Sequence, residues 1–297
     1  MMMNKNVQDW KNKGQYFTYN DHKTFYFQEG TGENLLILHG YPYSSYEWKD
    51  IVAVLSKQYT ITILDLLGMG FSDKPKKHPY SYQEYCVIIN QLLKQLGVEK
   101  THILAHDTGG TVVQELLARD LEQGNTFTIE SVAWLNCGLF MDVYKPRLIQ
   151  KLLSQSPTFI GKFLSKVISK KSVNASVKEV FGPNTQPSDA FLDEQWTILN
   201  YNEGKSITYL IGRLVFDKYN YQTRWIDAMQ KTTIPICYIC GTYDPNSGLH
   251  MAKRYEALIP NPKVYLLKNQ IGHWPQIEDH EGTLQAFHDF INALKSF

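Results

Sequence analysis

Apolar and polar positions change rhythm three times along this chain, and each change predicts different structure. Residues 15–19 and 24–28 alternate apolar with polar around the turn-forming run Asn20-Asp21-His22-Lys23, and so read as a hairpin. Short apolar runs then alternate with helical periods. Residues 35–38, 60–64, 102–105 and 129–135 predict strands, and 44–55, 82–96 (closed by Gly97) and 111–118 predict helices between them. Strands alternating with helices require crossovers, and crossovers give a mostly parallel sheet.

After Cys137-Gly138 the strand periods stop. To about residue 230 the apolar positions recur at helical spacing, as in Leu148, Leu152, Ile160, Leu164 and Ile168, with turn signals at Gly182-Pro183, Pro187 and Gly204. The β/α rhythm returns with a strand at 234–239, a helix at 251–258, a strand at 264–267 and a helix from Glu281. The expected architecture is an α/β core of residues 1–137 and 231–297, with eight strands, interrupted after the sixth by a helical cap of residues 138–230. An insert at that place covers the strand ends where α/β proteins bind ligands.

Composition changes this picture little. The chain has 297 residues and a formal charge of +1, which offers no electrostatic argument for nucleic acid or an anionic membrane as a partner. The N-terminal stretch is polar, and no run approaches the roughly 20 apolar residues of a membrane span. A soluble, cytoplasmic protein is expected. Cys86, Cys137, Cys237 and Cys240 are scattered; Cys237 and Cys240 fall three apart on an expected strand, so they point to opposite faces and read as buried free thiols. Aromatic residues are plentiful, with 19 Tyr, which suits the lining of a pocket.

Chemistry concentrates at the ends of expected strands. Leu104-Ala105-His106-Asp107-Thr108-Gly109-Gly110 stands between a strand and a helix, in the form small–x–nucleophile–x–Gly. A side chain on such a sharp turn is held out over the sheet, and small neighbours let the backbone bend. An Asp there could also simply cap the helix. Its partners argue for the nucleophile. His39-Gly40-Tyr41-Pro42 ends another strand, and the Tyr41 N–H with the Thr108 N–H would form an oxyanion hole. His39 itself reads as a structural hydrogen-bonding residue. Asp244 follows a later strand in Gly241-Thr242-Tyr243-Asp244-Pro245, and His273 lies in the loop after the next one. Nucleophile, acid, histidine is the chain order of strand-end hydrolase sites of this kind. His22, His78, His102, His250, His280 and His288 read as surface or helix residues.

An aspartate at the nucleophile position narrows the chemistry. Attack on an acyl carbon would give an unproductive anhydride, whereas attack on an sp³ carbon gives an alkyl ester that water can cleave. His273, oriented by Asp244, would activate that water. No metal or organic cofactor is needed, and the implied partners are a small apolar substrate and water. Nothing in the pattern fixes an oligomeric state.

These motifs carry a resemblance. HGYP, DLLGMGFSDKP at 65–75, HDTGG, GTYDP and GHWPQIED resemble the epoxide hydrolase and haloalkane dehalogenase branch of the α/β-hydrolase superfamily across most of the chain. HGYPYSSYEW, VFGPNTQPS in the insert, and Arg224-Trp225 are most similar to the mesoderm-specific transcript group. The resemblance implies the α/β-hydrolase fold and a capped active site. Vertebrate members of that group carry a hydrophobic N-terminal segment that is lacking here, in keeping with a soluble protein. Dehalogenases place a halide-holding Trp after the nucleophile and often an Asn in the HG-x-P position; here these are Thr108 and Tyr41, and Trp196 in the insert is the remaining indole candidate. Epoxide hydrolases use cap tyrosines to hold the epoxide oxygen, for which Tyr144, Tyr201, Tyr209, Tyr219 and Tyr221 are available. The leading expectation is therefore an epoxide-hydrolase-like enzyme. The alternatives are a haloalkane dehalogenase, an esterase in which Asp107 serves as base for water, and a non-catalytic ligand-binding or interaction protein on the same fold.

Overall fold

A computed structural model of the chain describes residues 3–295. The hairpin forms from β1 (Gln15–Tyr19) and β2 (His22–Glu29). Asn20 and Asp21 make its turn, both at positive φ, as a two-residue turn matched to strand twist requires. β3 (Glu33–Leu38), β4 (Tyr59–Leu64), β5 (Lys100–His106), β6 (Thr128–Leu135), β7 (Ile236–Cys240) and β8 (Lys263–Leu266) complete one eight-stranded sheet in the order β1-β2-β4-β3-β5-β6-β7-β8. β1–β2 and β2–β4 pair antiparallel, and all later pairs are parallel.

The central strands are apolar without alternation because both faces are covered; Leu35, Leu36, Ile37 and Leu38 are all fully buried. One face packs under α3 (Tyr82–Gln95) and α4 (Thr108–Leu121), and the other under α2 (Lys49–Leu55) and the C-terminal helix. Cys240 belongs to the first cluster and Cys237 to the second, as two strand residues three apart must. All four cysteines are free and buried. The expected helix at 44–55 opens with a 3₁₀ turn, Ser45–Trp48, because the Ser44 hydroxyl accepts from the Tyr46 N–H and tightens the first turn. A helix without strong apolar periodicity, α1 (Lys5–Lys13), precedes the hairpin. Only Val7 and Trp10 bury, and the Trp10 indole N–H donates to Ser45 Oγ at 3.1 Å.

Between β6 and β7 every element is helical: α5 (Leu148–Gln155), α6 (Thr158–Val167), α7 (Lys170–Lys178), α8 (Asp189–Asn200), α9 (Thr208–Gly212) and α10 (Val215–Lys231), with a 3₁₀ segment over Tyr201–Ile207. Afterwards come α11 (Leu249–Leu258), α12 (Pro275–Glu278) and α13 (His280–Lys295). α10 docks the insert on α4. The Trp225 indole N–H donates to Glu115 Oε2 at 2.8 Å, and the Arg224 guanidinium pairs with Glu115 and Glu122. Helical spacing in the insert does not fix which way its helices face: Leu148 is 73% and Leu152 39% exposed. α6 packs inward through Gly161 and Ser165 instead, because a Cβ at Gly161 would come within 2.8 Å of Leu153 O and 3.1 Å of Tyr209 Cβ. His102 also departs from expectation. It is buried on β5, with Nδ1 2.8 Å from Ser131 Oγ, because its strand is covered on both sides.

Gly110, in the first turn of α4, lets that helix close on β6: a Cβ there would sit 2.2 Å from Cys137 Sγ. Gly110→Ala should therefore destabilise the fold by about 1–3 kcal/mol through overpacking, measured by urea unfolding.

Candidate active site

β5 ends at His106 and α4 starts at Thr108, so Asp107 alone makes the turn, at φ 46° and ψ −112°. This is a strained conformation for a residue with a Cβ, of the kind concentrated at functional sites. The opposing loop approaches so closely that a Cβ on Gly40 would lie 2.8 Å from Asp107 Cβ. From that loop the Tyr41 N–H donates to Asp107 Oδ1 at 2.9 Å. Thr108, at the first position of α4, lines the same cavity.

The other carboxylate oxygen of Asp107, Oδ2, lies 3.7 Å from His273 Nε2. His273 Nδ1 is 2.8 Å from Asp244 Oδ2. That oxygen also accepts from Asn136 Nδ2 and Ser247 Oγ, and the Asn246 N–H donates to Asp244 Oδ1. The structure thus brings Asp107, His273 and Asp244 into one line, and it puts the Tyr41 N–H on Asp107. Burial disfavours the His273 imidazolium, yet the Asp244 carboxylate, its hydrogen bond and Asp107 raise the ring to about 9. Burial would likewise raise both carboxyls. The imidazolium and the surrounding donors outweigh it, and both Asp107 and Asp244 are held below the usual carboxylate range.

Comparison with known proteins identifies the family. Residues 33–280 match the family model described as the alpha/beta hydrolase fold. The chain belongs to the α/β hydrolase family. It is 33% identical over 297 residues to the mesoderm-specific transcript protein of Mus musculus, covering 97% of this chain and 88% of that one. Among solved structures, epoxide hydrolase CorEH superposes with a TM-score of 0.77 at 20% identity, over 95% of this chain and 99% of that one. A haloalkane dehalogenase from Bradyrhizobium elkani gives 0.79 at 17% identity, over 95% and 98%.

Two carboxylates without a signature in the sequence, Glu47 buried and Glu278 half-buried, hold this α/β hydrolase site together. Glu47 Oε1 accepts the Gly40 N–H at 3.1 Å and lies 2.8 Å from His106 Nδ1, while His106 Nε2 is 2.8 Å from the His273 carbonyl oxygen. Both His106 nitrogens thus face oxygen acceptors, and the ring joins the Asp107 turn to the histidine loop. Glu278, the last residue of α12, clamps the loop from outside. Its Oε2 accepts from the Gly272 and Gly182 N–H groups and from Thr185 Oγ1, and its Oε1 from the Trp274 N–H. The His273 N–H itself donates to Val180 O at 2.8 Å. VFGPNTQPS in the insert and GHWPQIED in the core are therefore two halves of one contact. His39 bridges Gly40 O and the Leu66 N–H.

The cavity above Asp107 has about 1260 Å³ of empty space, counting open solvent at its mouth. Of the five expected tyrosines only Tyr144 lines it. Tyr201 packs against Phe71, Tyr209 on α9 packs against Gly161 of α6, and Tyr219 and Tyr221 are 46% and 39% exposed. Trp196 sits beneath the Lys205 ammonium and is not part of the lining. The Tyr41 hydroxyl turns away to donate to Thr208 O. The lining gains two residues that periodicity concealed. Tyr82 comes from α3 of the core, and Lys218 from α10. Lys218 is 8% exposed, with Nζ 3.3 Å from Gly138 O and 5.3 Å from the Tyr144 ring centroid. Burial lowers its pKa, with Asp107 acting in the opposite direction; burial raises both Tyr82 and Tyr144.

The raised His273 value has a testable sign. A group raised on folding contributes stability that is fully present below its unfolded value of 6.5 and is lost as pH rises through about 9. The melting temperature should fall across that window, and less so in Asp107→Asn, which lacks one of the charges raising His273. NMR titration of the His273 ring should give a lower pKa in Asp107→Asn than in the unaltered protein.

Proposed function

We propose that this α/β hydrolase is epoxide-hydrolase-like, with Asp107 as nucleophile toward an sp³ carbon of a small apolar substrate held under the insert, which serves as a cap. The observation carrying this reading is the setting of the two Asp107 oxygens: Oδ1 on the Tyr41 N–H at 2.9 Å, Oδ2 facing His273 Nε2 at 3.7 Å. A carboxylate so held forms an ester whose carbonyl oxygen already occupies a donor site, with the Thr108 N–H as second donor, and hydrolysis of that ester needs such donors.

The cycle balances around His273. In the resting site the imidazolium is paired with two carboxylates. Asp107 attacks carbon, the C–O bond of the epoxide breaks, and the oxygen leaves as an alkoxide facing Lys218 Nζ and the Tyr144 hydroxyl. Esterification removes the Asp107 charge that helped to hold the proton on His273, so the imidazolium releases it to the alkoxide. The neutral ring then takes a proton from water, and the resulting hydroxide oxygen attacks the Asp107 ester carbonyl. Collapse frees the diol, the Asp107 carboxylate and the imidazolium. Epoxide and water are consumed and nothing else is required.

A second reading rests on Lys218. A buried ammonium also suits a departing halide, although Trp196 does not line the cavity and Thr108 stands where an indole donor would serve. Single turnover in heavy-oxygen water should place label in the Asp107 carboxylate, read by mass spectrometry of its peptide. His273→Gln should accumulate an ester adduct with the mass of the substrate. An unlabelled Asp107 with a substrate that turns over would end the covalent reading, and unchanged biological activity in Asp107→Asn would favour a binding protein. Lys218→Met should lower kcat/KM for epoxides about 100-fold, as loss of a charge-stabilising donor does. Halide release from haloalkanes that exceeds diol formation would reverse the ranking.

A further inference from the structure

The outer side of the insert has a chemistry that the cavity does not use. On α6, Phe159, Phe163 and Val167 follow one another at i, i+4 and i+8, so they form one stripe. Their exposures are 74%, 63% and 56%. The stripe faces out because the opposite side of the helix is the packing side. Gly161 lies against Leu153 and Tyr209, and Ser165 Oγ bonds to Lys162 O and Ser206 O. Leu148 and Leu152 repeat the arrangement on the neighbouring helix α5, while Leu153 and Ser154 beside them line the cavity. Five large apolar side chains on two packed helices make a patch of the kind that marks an interaction surface rather than scattered surface leucines.

Charge identifies what fits this patch. Residues 145–178 contain eight Lys and Arg and no Asp or Glu, although the whole chain carries only +1. The balance over 297 residues averages this segment away. Lys162 and Lys166 flank the aromatic stripe on α6, and both are exposed. Among the described residues, Lys151, Lys162, Lys166 and Lys171 have no acidic partner. An amphipathic helix pair with aromatic residues at its apolar edge and unpaired lysines beside them matches the interface of an anionic bilayer, where rings enter the headgroup region and ammonium groups meet lipid phosphates.

We propose that the α5–α6 face of the insert docks this protein reversibly on anionic phospholipid surfaces. The docking goes beyond the Asp107 chemistry and does not depend on it. Because the inner side of α5 lines the cavity through Gln150, Leu153 and Ser154, docking sets that wall of the cavity against the lipid from which apolar molecules partition.

Sedimentation with vesicles tests this directly. The full chain should pellet with vesicles of mixed phosphatidylglycerol and phosphatidylcholine, but not with phosphatidylcholine alone, and added salt should release it. Phe159→Ser with Phe163→Ser should weaken binding about tenfold or more. Replacing Lys151, Lys162, Lys166 and Lys171 by Gln should weaken it about 100-fold or more. All six side chains are exposed or lie on the surface, so circular dichroism melts should remain unchanged; if a variant melts early, the salt dependence of the unaltered protein decides. A chain left in the supernatant with the anionic vesicles, or one that binds both vesicle types equally, overturns the proposal. So does a concentration-dependent dimer, found without lipid by analytical ultracentrifugation and abolished by the Phe159 and Phe163 changes, because the face would then belong to a second copy.

Discussion

The Glu47 carboxylate is the contact on which the rest of this site depends. It lies wholly inside the protein, takes the Gly40 N–H, and pairs with His106, whose other nitrogen reaches the carbonyl of His273. Three chain segments meet there: the loop after β3, the turn after β5 and the loop after β8. A buried pair of this kind contributes little net stability compared with a well-packed apolar pair, but removing one partner costs about 3–5 kcal/mol. Its value is geometric. It holds the Tyr41 N–H, Asp107 and His273 in register although they come from residues far apart in sequence.

The site residues legible in the sequence are those whose backbone is unusual. Asp107 needs a strand-to-helix turn with small neighbours, Tyr41 follows a glycine that permits close approach, and Asp244 and His273 end or follow strands. Each leaves a local signature of turn residues beside an apolar run. The sheet was legible for the same reason, since its strands are short, apolar and punctuated. His102 shows the limit of this reasoning: its strand was expected, but its burial depends on what covers the sheet.

The rest depended on which way helices face. Lys218 and Tyr144 line the cavity while Tyr201, Tyr209, Tyr219 and Tyr221 do not, and nothing in their spacing distinguishes them. Gly161 and Ser165 decide the orientation of α6 by letting backbone approach Leu153 and Tyr209, so Phe159 and Phe163 turn to solvent, a facing that helical spacing alone does not fix. Glu47 and His106 escaped notice because a buried carboxylate and imidazole are recognisable only by their partners. α1 escaped because two buried side chains three residues apart make no period.

The bond from the His273 N–H to Val180 O joins residues of the core and the insert through backbone, where no side-chain substitution can remove it. Glu278 adds Gly182 and Thr185 to the same seam. The insert is for that reason not an interchangeable part. Transplanting a foreign helical segment between β6 and β7 would replace the acceptor that orients the histidine loop, so the two portions of this chain are obliged to diversify together.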